Sequence, residues 1–312
     1  MKDKCLKILK MAFALVAFGY IVYAICGQIH KGASLNLDHF LLLPLAVAVL
    51  LVPVNWAVEA AKWHCLIVNL QKLSLLQSFR SVLTGLAYSM LTPNRIGDFA
   101  GRIMTLDSAN RTKGAMSSFM GGFAQVLAIA TFGVVAFGFN PELPDAFQWL
   151  GIHYAFSLVV LVTMLAVLFC VYLFVGDVAS RFKFEAWPWL ERFVTSASLH
   201  DKSQLAAAFL LSCVRYAVFS CQFFLVLRSV GVESSAIDMF SAISFTYCIV
   251  TLIPTFALFE WGVRGSVAMV FFVPIGGQPT QIVGATVIVW LMNVGIPALI
   301  GVMWSVKPTN GK

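Results

Sequence analysis

Residues 80–102 read RSVLTGLAYSMLTPNRIGDFAGR, and residues 239–264 read MFSAISFTYCIVTLIPTFALFEWGVR. Both stretches open with a short apolar run that ends at a proline, and both then place an acid four positions before an arginine. A membrane-spanning helix needs about 20 apolar residues, so each run is too short to cross the bilayer unbroken. The residues expected to break the two helices are Pro93, Gly97, Pro254 and Gly262. Broken helices in corresponding positions of two halves of a chain are typical of a transporter's central site.

The composition of the chain predicts an all-α integral membrane protein. Of its 312 residues, 60% are hydrophobic and 11% are charged, whereas soluble domains contain about 25% charged residues. We expect a single polytopic membrane domain over residues 1–312, because no polar stretch is long enough to fold as a separate soluble domain. A large cytoplasmic catalytic domain is therefore not expected.

Apolar runs of spanning length predict about six full transmembrane helices and two interrupted helical segments. The full helices are expected at about 8–26, 40–60, 115–139, 153–175, 203–227 and 281–304, and the interrupted segments at about 79–105 and 239–275. With both termini in the cytoplasm, most lysines and arginines fall on the inner side, which predicts a multi-pass protein of the cell inner membrane. The formal net charge of +7 comes from residues in short loops between these helices, so nucleic acid is not expected as a partner.

The order of these segments predicts an inverted repeat. In this orientation, residues 8–139 read as helix, helix, interrupted hairpin and helix, and residues 153–304 repeat that series in the opposite orientation. The two re-entrant hairpins would then enter the membrane from opposite faces and meet near its midplane. The alternative is eight plain spans, in which each interrupted segment crosses the bilayer fully.

The charged residues beside the two helix breaks predict an anion-binding site. Asp98 and Arg102, like Glu260 and Arg264, are spaced to share one helix face. At bilayer depth an arginine or aspartate costs roughly 2.5–3.5 kcal/mol, so stability alone does not explain the pairs. With Arg95 at the free N-terminal end of a new helix, these residues favour binding of a phosphate. The alternative is a pair of internal salt bridges at the helix breaks, with no ligand.

The second helix ends in a polar stripe. Asn55, Glu59, Lys62 and Trp63 are spaced to fall on one face of an otherwise apolar helix. That face is expected to point into the protein. The alternative is anchoring at the membrane interface by the tryptophans and by Lys62, whose long side chain can reach the headgroups.

Arg215 lies well inside the predicted helix at 203–227. An arginine at that depth needs a carboxylate or a lipid phosphate as partner, unless it reaches the cytoplasmic headgroups. The candidate carboxylates are those of Glu59, Asp98 and Glu260. The complete set of predicted substrate-binding residues is Asn55, Glu59, Lys62, Arg95, Asp98, Arg102, Arg215, Glu260 and Arg264.

The sequence offers no sign of cofactor chemistry. The five histidines are isolated from one another, so no metal site is expected. The chain has no phosphate-binding loop of the Gly-x-x-x-x-Gly-Lys-Ser/Thr type, so hydrolysis of ATP by that route is not expected. We expect no cofactor and no enzymatic activity.

Two motifs are similar to those of a known family. Residues 92–98, TPNRIGD, together with Arg102, and residues 253–264, IPTFALFEWGVR, resemble the flippase-like transmembrane region of bacterial lysylphosphatidylglycerol synthases, a family that includes stand-alone members. In that family an acid commonly follows the second arginine directly, whereas here Gly265 follows it. The resemblance implies a lipid translocator, because aminoacyl transfer belongs to a separate soluble domain that this chain is expected to lack.

These observations predict a membrane lipid translocase. It would move the headgroup of a phospholipid or lipid-linked intermediate across the inner membrane, passively or driven by a gradient. The expected partner is a membrane lipid with a phosphate headgroup, and further candidates are a separate lipid-modifying enzyme and a second copy of the chain. The alternatives are a membrane-embedded enzyme acting on a lipid phosphate or polyprenyl-linked substrate, and a non-transporting partner of a lipid synthase.

Overall fold

The structure, a computed structural model, describes residues 41–90, 92, 96–140, 154–179, 188–255 and 260–305. All regular secondary structure in these ranges is helical. Five of the described helices are long and apolar enough to cross a membrane: Leu42–Ile67, Ser108–Phe139, Tyr154–Asp177, Lys202–Ser229 and Pro279–Trp304. The chain is therefore an all-α, multi-pass membrane protein, as its composition predicts. The span expected at 8–26 lies outside the described residues.

The described helices follow the order expected from the sequence. They are α1 Leu42–Ile67, α2 Leu75–Ser89, α3 Ile96–Ile103, α4 Arg111–Phe139, α5 Tyr154–Ala179, α6 Pro188–Thr195, α7 Lys202–Ser229, α8 Ala236–Leu252, α9 Glu260–Phe272, α10 Pro279–Trp290 and α11 Ile296–Ser305. Short 3₁₀ helices occupy Ser108–Asn110 and Ser196–Leu199. A π-helical turn, Leu291–Gly295, joins α10 to α11, so that the two form one continuous span.

Polar side chains mark where several helices begin. Ser74 accepts a hydrogen bond from the backbone N–H of Gln77, whose side chain accepts one from the N–H of Ser74. Ser235 likewise accepts a bond from the N–H of Asp238 at the start of α8. These caps satisfy amide groups that have no partner within the helix. They explain why α2 and α8, the first helices of the two interrupted segments, begin at these positions.

The first interrupted segment is a helix, a break and a second helix. The hydroxyl of Thr92 accepts a hydrogen bond of 2.6 Å from the N–H of Gly97 in the first turn of α3. A Cβ atom on Gly101 would lie only 2.6 Å from the Cα atom of Gly85 on α2. The backbones of α2 and α3 therefore touch, because glycines stand at the contact. Gly97 lies inside α3 and not in the break, and Pro93 lies outside the described residues.

The second interrupted segment has the same order of elements. α8 ends at Leu252, Pro254 follows it, and α9 begins at Glu260. A proline cannot continue the hydrogen-bond pattern of a helix, which accounts for the end of α8. Gly262 lies inside α9, and a Cβ atom there would meet nothing within 4 Å. The break at this segment therefore does not depend on Gly262.

Three groups of buried apolar side chains hold the helices together. One lies among α7, α8, α9 and α10 and includes Phe223 and Phe272. The second joins α1, α2 and the last span through Trp63 and Trp290. The third joins α4, α5 and α7 around Tyr172. α1 also packs along α7, which brings the polar stripe of α1 next to Arg215 in the interior.

A buried histidine connects the segment before α7 to α4. Nε2 of His200 lies 2.9 Å from Oγ of Ser117, and only 7% of His200 is exposed. Burial disfavours the charged form of the imidazole and lowers the pKa of His200 below its ordinary value. The folded protein therefore holds this histidine neutral at a pH where the unfolded chain takes up a proton.

Acidification is expected to destabilise the protein through His200. The stability contributed by the neutral side chain is complete above about pH 6.5 and is lost as the pH falls through the lowered pKa. The melting temperature in detergent should fall between about pH 8 and about pH 5.5, and it should fall less in His200→Gln. Equal falls in the two proteins would contradict this role of His200.

Candidate functional site

A cavity of about 370 Å³ lies inside the bundle. Its lining comes from both interrupted segments and from α1, α4, α7 and the last span. The lining includes eight of the nine residues that the sequence predicts for a substrate site: Asn55, Glu59, Lys62, Asp98, Arg102, Arg215, Glu260 and Arg264. Arg95, the ninth, lies outside the described residues. Two pairs more than 150 residues apart in sequence, Asp98 with Arg102 and Glu260 with Arg264, thus share one cavity.

Glu59 is the centre of the charge network. Its Oε1 atom lies 2.8 Å from Nη1 of Arg102, and its Oε2 atom lies 2.8 Å from Nζ of Lys62 and 3.0 Å from Nη1 of Arg215. Three cations from three helices therefore meet on one carboxylate that is only 3% exposed. The polar stripe of α1 faces the interior, and Arg215 contacts the carboxylate of Glu59.

Arg102 connects the first interrupted segment to α1. Besides its bond to Glu59, it pairs with Asp98 on its own helix, with Nη2 2.7 Å from Oδ2 and Nε 3.1 Å from Oδ1. The guanidinium carbon also lies 5.8 Å from the ring centroid of Trp63. Two parallel bonds to Asp98 fix the plane of the guanidinium, so the end of α3 is held against α1.

The second interrupted segment contributes a separate ion pair. Nη2 of Arg264 pairs with Oε1 of Glu260, and the guanidinium carbon lies 5.1 Å from the ring centroid of Tyr247 on α8. Arg264 and Tyr247 are 8% and 6% exposed. Neither Nε of Arg264 nor Oη of Tyr247 has a hydrogen-bond partner among the described residues. This side of the cavity therefore has donor groups that an oxygen-rich ligand could satisfy.

Three amide side chains complete the network. Nε of Arg215 donates to Oδ1 of Asn55 at 3.1 Å, and Nδ2 of Asn55 donates to Oδ1 of Asn293 at 2.5 Å. Oε1 of Gln125 accepts from Nη1 of Arg215 at 3.3 Å and from Nζ of Lys62 at 3.4 Å. The amides thus link α1, α4, α7 and the last span around the charged groups.

Three residues at the site, Gln125, Tyr247 and Asn293, are not among those that the sequence predicts. Gln125 and Asn293 are isolated amides within long apolar runs. A lone amide in such a run is the sequence feature that could have identified them as site residues. Asn293 also lies in the π-helical turn Leu291–Gly295, a distortion that recurs at functional sites. A π-turn is not visible in a sequence pattern, because it depends on how the helix packs.

The charges on the described lining do not cancel. Among the described lining residues, Lys62 and three arginines outnumber three carboxylates by one. In a low-dielectric interior an excess charge attracts a counter-ion strongly. Within the described part of the chain, no group of three or more His, Cys, Asp or Glu side chains is placed to hold a metal ion. The arrangement is suited to binding an anion.

The fold and the site together define a polytopic membrane protein with a charged central cavity built from broken helices. The chain belongs to the family described as the lysylphosphatidylglycerol synthase TM region, whose model matches residues 8–301. Membership confirms the resemblance of the two motifs and gives the chain a role connected with membrane lipids. No curated protein matches the chain.

Proposed function

We propose that the protein is a lipid translocase that moves a phosphate-bearing headgroup of a phospholipid or lipid-linked intermediate across the inner membrane. The observation that supports this most strongly is the shared cavity, whose described lining includes an arginine from each interrupted segment. Arg102, Arg215 and Arg264, together with Arg95, hold the phosphate. The protein makes and breaks no covalent bond in this process, so it acts as a transporter and not as an enzyme.

The dimensions and lining of the cavity suit a headgroup. Ligand pockets usually measure about 300–1,000 Å³, and a cavity of about 370 Å³ is large enough for a headgroup but not for a whole lipid. Leu86, Val126, Ile129 and Val250 supply apolar parts of its lining. The acyl chains remain in the surrounding bilayer while the headgroup passes through the protein.

The paired carboxylates allow the headgroup to leave again. Arg102, Arg215 and Arg264 each contact a carboxylate, so none of these three guanidinium groups is buried without an acidic neighbour when the cavity is empty. The phosphate then competes with Glu59, Asp98 and Glu260 for the guanidinium groups. Binding of this kind is readily reversible. A transporter needs such binding because it must release the headgroup on the other side of the membrane.

The two interrupted segments give access from each side in turn. In the proposal, residues 8–139 and 153–304 form an inverted repeat, and the hairpins enter from opposite faces. Both termini lie in the cytoplasm. Movement is passive or driven by a gradient. The proposed partners are a separate lipid-modifying enzyme or a second copy of the chain.

The proposal is tested by measuring headgroup movement in proteoliposomes. Dithionite reduction of NBD-labelled phosphatidylglycerol and phosphatidylethanolamine reports how fast lipid leaves the inner leaflet. Arg264→Gln is expected to lower the initial rate for the transported lipid at least about tenfold, because it removes a charge-assisted hydrogen bond to the phosphate.

The matched control is Arg228→Gln. Arg228 donates to the carbonyl of Ser234 and lies outside the cavity lining, so this variant should move lipid at the wild-type rate. Movement no faster than in protein-free vesicles for both lipids, or equal rates for Arg264→Gln and the wild type, would contradict the proposed function.

A further inference from the structure

The paired arginines of the two interrupted segments differ in how many of their hydrogen-bond donors are used. In Arg102 all three guanidinium nitrogens contact carboxylate oxygens, which belong to Glu59 and Asp98. In Arg264 only Nη2 contacts an acceptor within the described part of the chain, and that acceptor is Glu260. Nε of Arg264 is buried and has no hydrogen-bond partner there. A buried donor without a partner carries a free-energy cost, so Arg264 has capacity for a further acceptor.

Tyr247 supplies a second unused donor beside Arg264. It lies on α8 and lines the cavity, and its ring centroid is 5.1 Å from the guanidinium carbon of Arg264 on α9. Only 6% of Tyr247 is exposed, and its hydroxyl has no hydrogen-bond partner among the described residues. A buried tyrosine hydroxyl usually has a partner. The hydroxyl of Tyr247 therefore indicates an acceptor that a ligand supplies.

Aromatic side chains of α7 hold the ring of Tyr247 in place. Phe219 packs against it in an edge-to-face contact with the ring centroids 4.6 Å apart, and Phe223 does so at 6.0 Å. Contacts of this geometry are the favourable ones between aromatic rings. A ring held in this way attracts the guanidinium group to its face, so Tyr247 positions Arg264 at the wall of the cavity.

We propose that Tyr247 is a further substrate-binding residue, whose hydroxyl binds one phosphate group of the transported molecule together with the unused N–H groups of Arg264. This inference rests on the proposed function and adds a specificity-determining residue to its site. A phosphate has several acceptor oxygens, so it can bond to a guanidinium and a hydroxyl at once. Nε of Arg264 and the hydroxyl of Tyr247 are both buried, so binding includes a movement of the guanidinium from the ring face toward the phosphate.

Tyr247→Phe separates the hydroxyl from the ring. The substitution keeps the aromatic contacts, and because the hydroxyl has no described partner, the melting temperature in detergent should equal the wild-type value or exceed it. The affinity of the detergent-solubilised full chain for dihexanoyl-phosphatidic acid, measured by titration calorimetry, should fall at least about tenfold, since a hydrogen bond to a charged group is lost. An unchanged affinity would overturn the inference. A melting temperature several degrees below the wild-type value would do so too, because the hydroxyl would then have a partner within the protein.

The matched control is Tyr172→Phe, the same chemical change at a buried tyrosine outside the cavity lining. The hydroxyl of Tyr172 donates to the backbone carbonyl of Leu205 at 3.0 Å. Its removal deletes a hydrogen bond of the folded protein, so the melting temperature should fall while the affinity stays unchanged. Equal losses of affinity in Tyr172→Phe and Tyr247→Phe would contradict the assignment of the Tyr247 hydroxyl to the ligand.

A double variant tests whether Tyr247 and Arg264 bind the same phosphate. Arg264→Gln alone should weaken binding of dihexanoyl-phosphatidic acid. Adding Tyr247→Phe to it should cost much less than the loss of about tenfold expected in the wild-type background, because effects at two residues that share one partner are not additive. An added loss of the full size would show that the two groups act separately and would overturn the shared site.

Inorganic phosphate is the second probe, because a free phosphate offers the same acceptor oxygens as a lipid headgroup. A loss in Tyr247→Phe for the lipid probe alone assigns the contact to a headgroup, and equal losses for both probes assign it to phosphate from either source. No loss with either probe, or no binding of either probe by the wild type, would overturn the inference. These titrations measure affinity and not movement, so failure of the inference leaves the proteoliposome result standing. Absence of movement in proteoliposomes likewise leaves the affinities standing.

Discussion

Glu59→Gln is expected to destabilise the protein by about 3–5 kcal/mol, the usual result of removing one partner from a buried ion pair. The substitution removes the carboxylate that Lys62, Arg102 and Arg215 all contact, while Arg102 keeps its pair with Asp98. The measurement is thermal or denaturant unfolding of the purified protein in detergent, followed by tryptophan fluorescence.

A second substitution separates charge from packing. Adding Lys62→Met to Glu59→Gln removes one of the uncompensated cations, so the double variant should be more stable than Glu59→Gln alone. We expect a coupling free energy of about 1–3 kcal/mol between the two positions. Additive effects, or an unfolding midpoint for Glu59→Gln equal to that of the wild type, would contradict the central position of Glu59 in the network.

Gly101→Ala is expected to destabilise the protein by about 1–3 kcal/mol, although alanine normally favours a helix over glycine. The new Cβ atom would lie 2.6 Å from Cα of Gly85 and 2.8 Å from the carbonyl oxygen of Thr84. Both are backbone atoms, so neither can rotate away, and α3 must move from α2. The displacement shifts Arg102, the next residue, relative to Glu59. Unfolding in detergent measures the loss.

Gly138→Ala is the matched control for this prediction. Gly138 is also a helical glycine, on α4, and a Cβ atom there would meet nothing within 4 Å. Its replacement should stabilise the protein by about 0.5–1 kcal/mol through helix propensity alone. If both substitutions stabilised the protein equally, the close contact between α2 and α3 would be disproved.

The helix break at Pro254 was predictable because it depends on local chemistry, whereas the prediction that Gly97 and Gly262 lie in the breaks was wrong, since both are inside helices. A proline at the end of an apolar run too short to span the bilayer was enough to predict the end of α8 before Pro254. The pairing of Asp98 with Arg102, and of Glu260 with Arg264, followed from helical spacing alone. These features involve residues a few positions apart, where the geometry of one helix fixes the distance.

Contacts between helices were less predictable. The polar stripe correctly placed Glu59 in the interior, but it did not predict that three cations would share this one carboxylate. That arrangement depends on how α1 packs against α3 and α7, which periodicity does not determine. The position of Gln125 beside Lys62 and Arg215 likewise depends on the rotation of α4 about its axis.

The most direct test of the account is an experimental structure of the protein in nanodiscs that contain phosphatidylglycerol. The account predicts density for a lipid phosphate inside the cavity, within hydrogen-bond distance of the guanidinium group of Arg215, with the acyl chains extending into the bilayer. A cavity that contains only water, with every lipid phosphate at the membrane surfaces, would contradict it.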